Sequence, residues 1–306
     1  MTDSVTSWKP MRLKDVPPNI LEIVHTVVDK LPDLPLSVNK IIEMASDDEC
    51  DLGELVELVS SDITLVSNIL KIVNSSYYGL SHKTDNLHLA IVLLGFAEVR
   101  NIALRSFVSQ SIEGKDLKEY STNQLWEHSY LVSTCAEIFS TEEDHQNRGT
   151  LMTLGLMHDV SKFALYNIAI ILKKKGITPQ GILNLPESSF VLEKEEKLFK
   201  VNHTIVGALL SKKWNLSERF IAVLEYHHYP SFFDISELPQ EYVKEISAIC
   251  ISDYIVNLYS DVKNMLPVPD TVCFEVLGIE PSPEEIMTRK VIEKLDNAKK
   301  FMSIIE

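Results

Sequence analysis

The sequence has few of the residues on which disulfide-rich and nucleic-acid-binding proteins depend. It contains four cysteines, at positions 50, 135, 250 and 273, and no CxxC pair. This spacing favours reduced, buried thiols in a cytoplasmic protein. There are only six arginines, and 29 basic residues stand against 44 acidic ones, which gives a net charge of −15. Because binding to a phosphate backbone depends on clustered Lys and Arg, nucleic acid is disfavoured as a partner.

Long apolar runs are also missing. The longest, residues 89–97, is much shorter than the roughly 18 residues that a membrane span needs. The first residues include Asp3, Trp8 and Lys9 and no apolar segment, so no secretory signal is expected. We therefore expect a cytoplasmic protein without a membrane segment.

Strand-like alternation and repeats of fixed length are absent too, and the 10 glycines and 13 prolines fall mostly at helix junctions. Apolar residues instead recur at helical spacing, which predicts an all-α fold. Asp51 and Asp62 are expected to cap the starts of two helices, and Gly95 to end another. The segment 281–285, Pro-Ser-Pro-Glu-Glu, is expected to start the last helix.

The linker-like stretch 113–121 suggests a boundary between two helical parts. We expect a tail at 1–19, an amino-terminal helical subdomain at 20–112, a linker at 113–121 and a second helical subdomain at 122–306. The mixed charge run 193–197 is expected to be a solvated helix face.

A His-Asp pair interrupts the otherwise apolar run 155–162. His158 shares a helix face with Leu151 and Leu154, the face that an amphipathic helix turns inward, and Asp159 follows it. An unsatisfied buried polar group costs about 1–3 kcal/mol, so partners are expected elsewhere in the chain. Other residues of metal-ligand type occupy inward positions of predicted helices: His128, His203, His227, His228 and Asp253. The pattern predicts that these side chains share one pocket.

Residues 31–107 resemble the amino-terminal half of HDOD domains. The resemblance lies in the Leu-Pro-Asp-Leu-Pro start at 31–35, the acidic turn at 47–48, and above all Val-Asn-Ser-Ser-Tyr-Tyr-Gly-Leu at 73–80. The second half is similar to the helical core of HD-type proteins. The resemblance implies a multi-helix HDOD fold and a bacterial signalling or regulatory protein, in a family considered mostly non-catalytic. Ile63 departs from the family, which usually has Pro after the aspartate.

The resemblance also implies metal ligands. In the wider HD superfamily, a helix His, the His-Asp doublet and a later Asp hold a metal, and the HD-GYP phosphodiesterases hold a second one. The matching residues here are His128, His158, Asp159 and Asp253 for a first site, and His203, His227 and His228 for a second. Imidazole and carboxylate ligands without a thiolate suit Fe, Mn, Zn or Ni.

Two departures from the superfamily pattern bear on activity. Ser161 stands where a glycine usually separates the doublet from the lysine, and this departure is compatible with metal binding. Tyr-Pro-Ser at 229–231 replaces the long loop that defines the HD-GYP enzymes, which argues against hydrolysis of cyclic dinucleotides. Lys162 either contacts a substrate phosphate, as the resemblance suggests, or is a surface lysine of its helix.

The sequence leaves two hypotheses. In the first, the chain is a non-catalytic signalling module that binds protein partners, and its histidines are structural. In the second, it is a metal-dependent phosphohydrolase of a phosphorylated small molecule or nucleotide, in which the ion activates a water and Lys162 neutralises charge. The first is favoured, because no substrate loop accompanies the ligands and arginines for phosphate recognition are scarce near them.

Overall fold

The computed structural model describes residues 8–44, 51–111, 122–140, 145–176, 191–262 and 267–305. Within these ranges every regular element is a helix, so the all-α prediction is confirmed. The α-helices are α1 (Pro18–Lys30), α2 (Leu36–Met44), α3 (Leu52–Ser60), α4 (Ile63–Val73), α5 (Leu87–Leu94), α6 (Phe96–Ser111), α7 (Thr122–Ala136), α8 (His145–Met157), α9 (Lys162–Lys174), α10 (Val191–Phe199), α11 (His203–Lys213), α12 (Glu218–Tyr226), α13 (Val243–Tyr259), α14 (Thr271–Val276), α15 (Pro283–Ile286) and α16 (Arg289–Ile305). Short 3-10 helices cover Leu13–Asp15, Glu137–Phe139, Tyr229–Ser231, Ile235–Glu237 and Gln240–Tyr242.

The chain divides into two compact units. Unit 1 consists of residues 1–30 and 161–281 and contains α1 and α9–α14. Unit 2 consists of residues 31–160 and 282–306 and contains α2–α8, α15 and α16. The predicted subdomains at 20–112 and 122–306 stay a prediction, and the linker at 113–121 lies outside the described residues.

The predicted helix ends in unit 2 follow from local hydrogen bonds. The carboxylate of Asp51 caps α3, and that of Asp62 accepts from the amides of Thr64 at 2.9 Å and Leu65 at 3.1 Å. Gly95 follows α5 with φ of +78°, a conformation that side chains with a Cβ rarely adopt. All three predicted ends are therefore confirmed.

Replacing Asp62 with alanine should lower the free energy of unfolding by about 1 kcal/mol, because the first amides of α4 lose their acceptor. Urea unfolding followed by circular dichroism would measure this. Glu57→Ala removes an exposed carboxylate from the neighbouring helix α3 without touching a cap. Equal loss of stability in the two variants would contradict the capping role.

Unit 2 is tightly packed where α7 meets α8. Gly155 of α8 lies so close to α7 that a Cβ at this position would be 2.8 Å from the Cα of Ser133. The hydroxyl of Ser133 donates to the carbonyl of Met152 at 2.6 Å, which fastens the same two helices together. This packing fixes the end of α8, and the His-Asp doublet follows directly.

In unit 1, the amino-terminal segment is tied down around Met11. Its amide donates to Glu196 Oε1 at 2.7 Å, and its carbonyl accepts from the hydroxyl of Tyr229 at 3.2 Å and from the side chain of Asn202 at 3.3 Å. Buried apolar residues of α1, such as Val24 and Val27, belong to the core of the same unit. Segment 8–16 is therefore part of the fold of unit 1.

Two predictions about the helices were wrong. The prolines at 281 and 283 start only α15, which is four residues long, and the last helix begins at Arg289. The hydroxyl of Thr288 accepts from the amide of Val291 at 3.3 Å, so a second start signal lies there. The charge run 193–197 is not a solvated face throughout, because Glu195 is only 3% exposed and Glu196 only 9%.

Three of the four cysteines, Cys135, Cys250 and Cys273, are buried, as predicted, and Cys50 lies outside the described residues. Among the described helices, none is by itself long and apolar enough to cross a membrane. Helices α5 and α6 meet the length and composition of a broken span together, but they bend by 105° at the break between them.

Candidate metal centre

Unit 2 brings three predicted ligands together at the end of α8. His158 and Asp159 lie in the turn that follows α8, and His128 lies on α7. Asp159 Oδ2 is 3.4 Å from His158 Nε2 and 3.8 Å from His128 Nε2. His158 and Asp159 are 0% and 1% exposed, whereas the side chain of His128 is 23% exposed. This unit therefore contains a mostly buried group of two imidazoles and one carboxylate.

Unit 1 brings four others together. His203 begins α11, His227 caps the end of α12 and His228 follows it, while Asp253 lies on α13. One ligand atom from each of the three histidines lies within 4.8 Å of those of the other two. His228 Nδ1 is 3.4 Å from Asp253 Oδ2. All four residues are at most 3% exposed. The three histidines among them could hold a metal ion away from solvent.

The two predicted sites are distributed over the units in different ways. The three histidines of the second site all belong to unit 1. Of the first site, His128, His158 and Asp159 belong to unit 2 and Asp253 belongs to unit 1. That these four ligands hold one ion stays a prediction.

Hydrogen bonds determine which ring nitrogen carries the proton in three of the histidines. His158 Nδ1 lies 2.6 Å from the carbonyl of Gly155, and His227 Nδ1 lies 3.1 Å from the carbonyl of Val223. His203 Nδ1 lies 2.7 Å from Oε2 of Glu195. Carbonyl and carboxylate oxygens only accept, so each Nδ1 must be the donor. In the neutral ring, Nε2 is then left with a lone pair.

These lone pairs face other acceptors. His203 Nε2 and His227 Nε2 are 3.3 Å apart, and His158 Nε2 faces the carboxylate of Asp159. Two facing acceptors repel unless a proton or a metal cation lies between them. Zinc binds imidazole nitrogen at about 2.0–2.1 Å, so two nitrogens on one tetrahedral ion lie about 3.3 Å apart. The residues present therefore fit a divalent metal at the histidines of unit 1.

Glu195 is a residue of this site that the sequence analysis missed. Its Oε2 accepts from the backbone amide of His203 at 2.9 Å and from the ring Nδ1 of the same residue. Helical periodicity could have found it, because Glu195 lies three residues after Leu192, and both belong to the buried face of α10.

Ser161, the departure from the superfamily pattern, has a structural role in unit 1. Its hydroxyl donates to the carbonyl of His203 at 2.6 Å. It also lies 3.1 Å from the place that a Cβ would occupy at Gly207. The serine thus supports the first turn of α11. Lys162 begins α9 and is half-buried, and its contact with a substrate phosphate stays a prediction.

Comparison with known proteins identifies a family and a relative that match part of this chain. A family model described as "HDOD domain" matches residues 31–230, well over half of the chain. An uncharacterized protein of Treponema pallidum (strain Nichols) is 22% identical over 187 residues, which make up 61% of this chain and 34% of that protein. The matched part thus spans about a third of that relative's length.

Three solved structures share the fold. An HDOD domain protein of unknown function from Geobacter sulfurreducens has 19% identity and a TM-score of 0.59, with 93% of each chain covered. A protein from Marinobacter aquaeolei VT8, provisionally named a signal transduction protein, has 16% identity and a TM-score of 0.67, with 94% of this chain and 64% of that chain covered. A protein from Shewanella amazonensis SB2B, provisionally named a metal-dependent phosphohydrolase, has 16% identity and a TM-score of 0.58, with 93% and 98% covered. At these identities the likeness shows the fold alone.

Proposed function

Because the chain belongs to the HDOD domain family, we propose that it is a bacterial signalling protein that acts mainly as a non-catalytic interaction module. The observation that carries this proposal is the burial of the ligand residues: His158, His203 and His227 are all 0% exposed. A catalytic metal keeps one coordination position open to substrate, whereas a structural metal is closed off by its ligands. The name given to the Marinobacter aquaeolei relative supports a signalling role, and the partner we propose is a protein of the same pathway.

The proposed role of the metal is structural. His203, His227 and His228 would hold one ion in unit 1, and its positive charge would offset the facing lone pairs at Nε2. Imidazole and carboxylate ligands suit Fe, Mn, Zn or Ni, and the 3.3 Å separation of the two nitrogens fits zinc in tetrahedral geometry. The first site, with His128, His158, Asp159 and Asp253, stays a prediction carried by the resemblance.

The second candidate function is a metal-dependent phosphohydrolase acting on a phosphorylated small molecule or nucleotide. It is favoured by the partial exposure of His128, which is 23%, and by Lys162 at the start of α9, four residues after His158. A bound metal would supply a water of lowered pKa and polarise a phosphoryl oxygen. Lys162 would then neutralise charge on the phosphate. The Shewanella amazonensis relative bears a name of this kind.

Elemental analysis of the purified protein, combined with an assay on a generic phosphodiester, distinguishes the two functions. We expect roughly stoichiometric metal, less metal in the His203→Ala variant, and no hydrolysis above that of the same metal in buffer. Hydrolysis that both Asp159→Asn and Lys162→Ala abolish would establish the phosphohydrolase and overturn the non-catalytic role. Protein without any bound metal, even after incubation with Zn²⁺ or Mn²⁺, would overturn the metal site.

A further inference from the structure

We infer that Glu195 is a positioning residue for the metal proposed at His203, setting both the direction of the imidazole ring and the charge of the site. The inference rests on the proposed metal site in unit 1. Neither the sequence pattern nor the family resemblance assigns a role to this residue.

The first step is the hold on the ring. A single oxygen of Glu195 accepts two hydrogen bonds from His203, at 2.9 Å from the backbone amide and at 2.7 Å from ring Nδ1. The main chain at this point is already fixed, because Asn202 caps α11 through the amide of Ile205 at 3.1 Å. The same carboxylate oxygen is thus hydrogen-bonded to both the ring and the backbone of His203. The ring therefore has little freedom to rotate. The Nε2 lone pair therefore points in one direction, toward His227.

The second step is charge. Glu195 is 3% exposed, and among the described residues its other oxygen, Oε1, has no hydrogen-bond partner. A buried carboxylate needs a positive charge nearby, because desolvation makes an uncompensated charge unfavourable. A divalent ion on the far nitrogen of the same ring would provide that charge. A carboxylate that accepts a hydrogen bond from a metal-bound imidazole also makes that imidazole a stronger ligand.

The third step is the contrast between the two facing histidines. His227 Nδ1 lies near two neutral carbonyls of its own helix, those of Val223 at 3.1 Å and Leu224 at 3.2 Å. These carbonyls orient the ring but bring no net charge. Of the groups that the two Nδ1 atoms contact, Glu195 is the ionisable one, and removing its charge should weaken cation binding at this pair.

The neighbouring glutamate provides a matched control. Glu196 lies on the same helix and is 9% exposed, but its Oε1 accepts from Met11 and Asn202 and not from a histidine. Glu195→Gln and Glu196→Gln each exchange one buried carboxylate for an amide of the same shape. Only the first exchange changes the group that holds His203.

Zinc alone, titrated by calorimetry into metal-free full-length protein, is the first measurement. We expect Glu195→Gln to weaken binding about 10- to 100-fold, Glu195→Asp to restore part of the loss, and Glu196→Gln to leave the affinity unchanged. Equal affinities for the Glu195→Gln and Glu196→Gln variants would overturn the inference. Thermal melting shows whether each variant is folded. If Glu195→Gln does not fold, the zinc affinity of Glu195→Asp is compared with that of Glu196→Gln instead.

The second measurement needs no metal. Long-range ¹H–¹⁵N spectra of metal-free protein, with His203 identified by the signal lost in His203→Gln, show which ring nitrogen is protonated. We expect the proton on Nδ1 in the wild type, and a mixture of both tautomers in Glu195→Ala. A wild-type ring with its proton on Nε2 would overturn the role of Glu195. A wild type with the expected tautomer that binds no zinc would instead contradict the proposed metal site, so the two failures are distinguishable.

Discussion

Replacing Gly155 with alanine is expected to lower the free energy of unfolding by about 3 kcal/mol or more. The added Cβ would lie 2.8 Å from the Cα and 2.9 Å from the backbone nitrogen of Ser133. Neither atom can move without its helix, so α7 and α8 would have to separate and their shared core would lose contacts. The carbonyl of Gly155 also accepts from the ring of His158, so the doublet would shift with α8. Urea unfolding of the two proteins measures the difference.

Gly53 provides the control for this substitution. It also lies in a helix, but a Cβ there would meet only the side chain of Asp51, at 3.1 Å. Gly53→Ala should therefore change stability little, or raise it slightly because alanine favours the helix. If the Gly155→Ala and Gly53→Ala variants unfold at the same urea concentration, α7 and α8 do not pack this closely at Gly155.

Zinc at a hundred times its dissociation constant is expected to raise the free energy of unfolding of the metal-free protein by about 2.7 kcal/mol. The gain arises because the ion binds ligands that only the folded chain brings together, and because it offsets the facing lone pairs of His203 and His227. Either His203→Ala or His227→Ala should abolish the gain. Calorimetric melting with zinc and with a chelator measures it.

His25→Ala is the control for the zinc effect, because His25 is an exposed histidine of α1 and no ligand of the proposed site. This variant should keep the full gain in stability. A gain that persists in both the His203 and His227 variants would mean that zinc binds elsewhere on the chain.

The fold class and the burial of His158, His203, His227 and His228 could be predicted from the sequence for one physical reason. In a helix, residues three and four apart share a face, so the neighbours of a residue show whether it points inward. His158 follows Leu151 and Leu154 on such a face, and all three are at most 1% exposed. His203 likewise shares a helix face with Val206, and both residues are 0% exposed. The caps at Asp51 and Asp62 are local interactions, and they too could be predicted.

The rest depends on contacts between residues distant in sequence. The charged neighbours of Glu195 in the run 193–197 predict a solvated face, although its spacing from Leu192 indicates burial. Its bond to His203 joins two helices, and no periodicity specifies such a pairing. The separation of α15 from α16 was missed for a related reason, since the prolines at 281 and 283 are a stronger local signal than Thr288.

The backbone hydrogen bonds of Met11 have a practical consequence for preparing this protein. Its amide is bonded to Glu196, the immediate neighbour of the residue that holds His203, and its carbonyl is bonded to Tyr229, one residue beyond His228. Cloning that trims the chain past this methionine, or joins a bulky purification tag close to it, would disturb both ends of the histidine group at once. An expression plasmid should therefore leave residues 8–16 untouched.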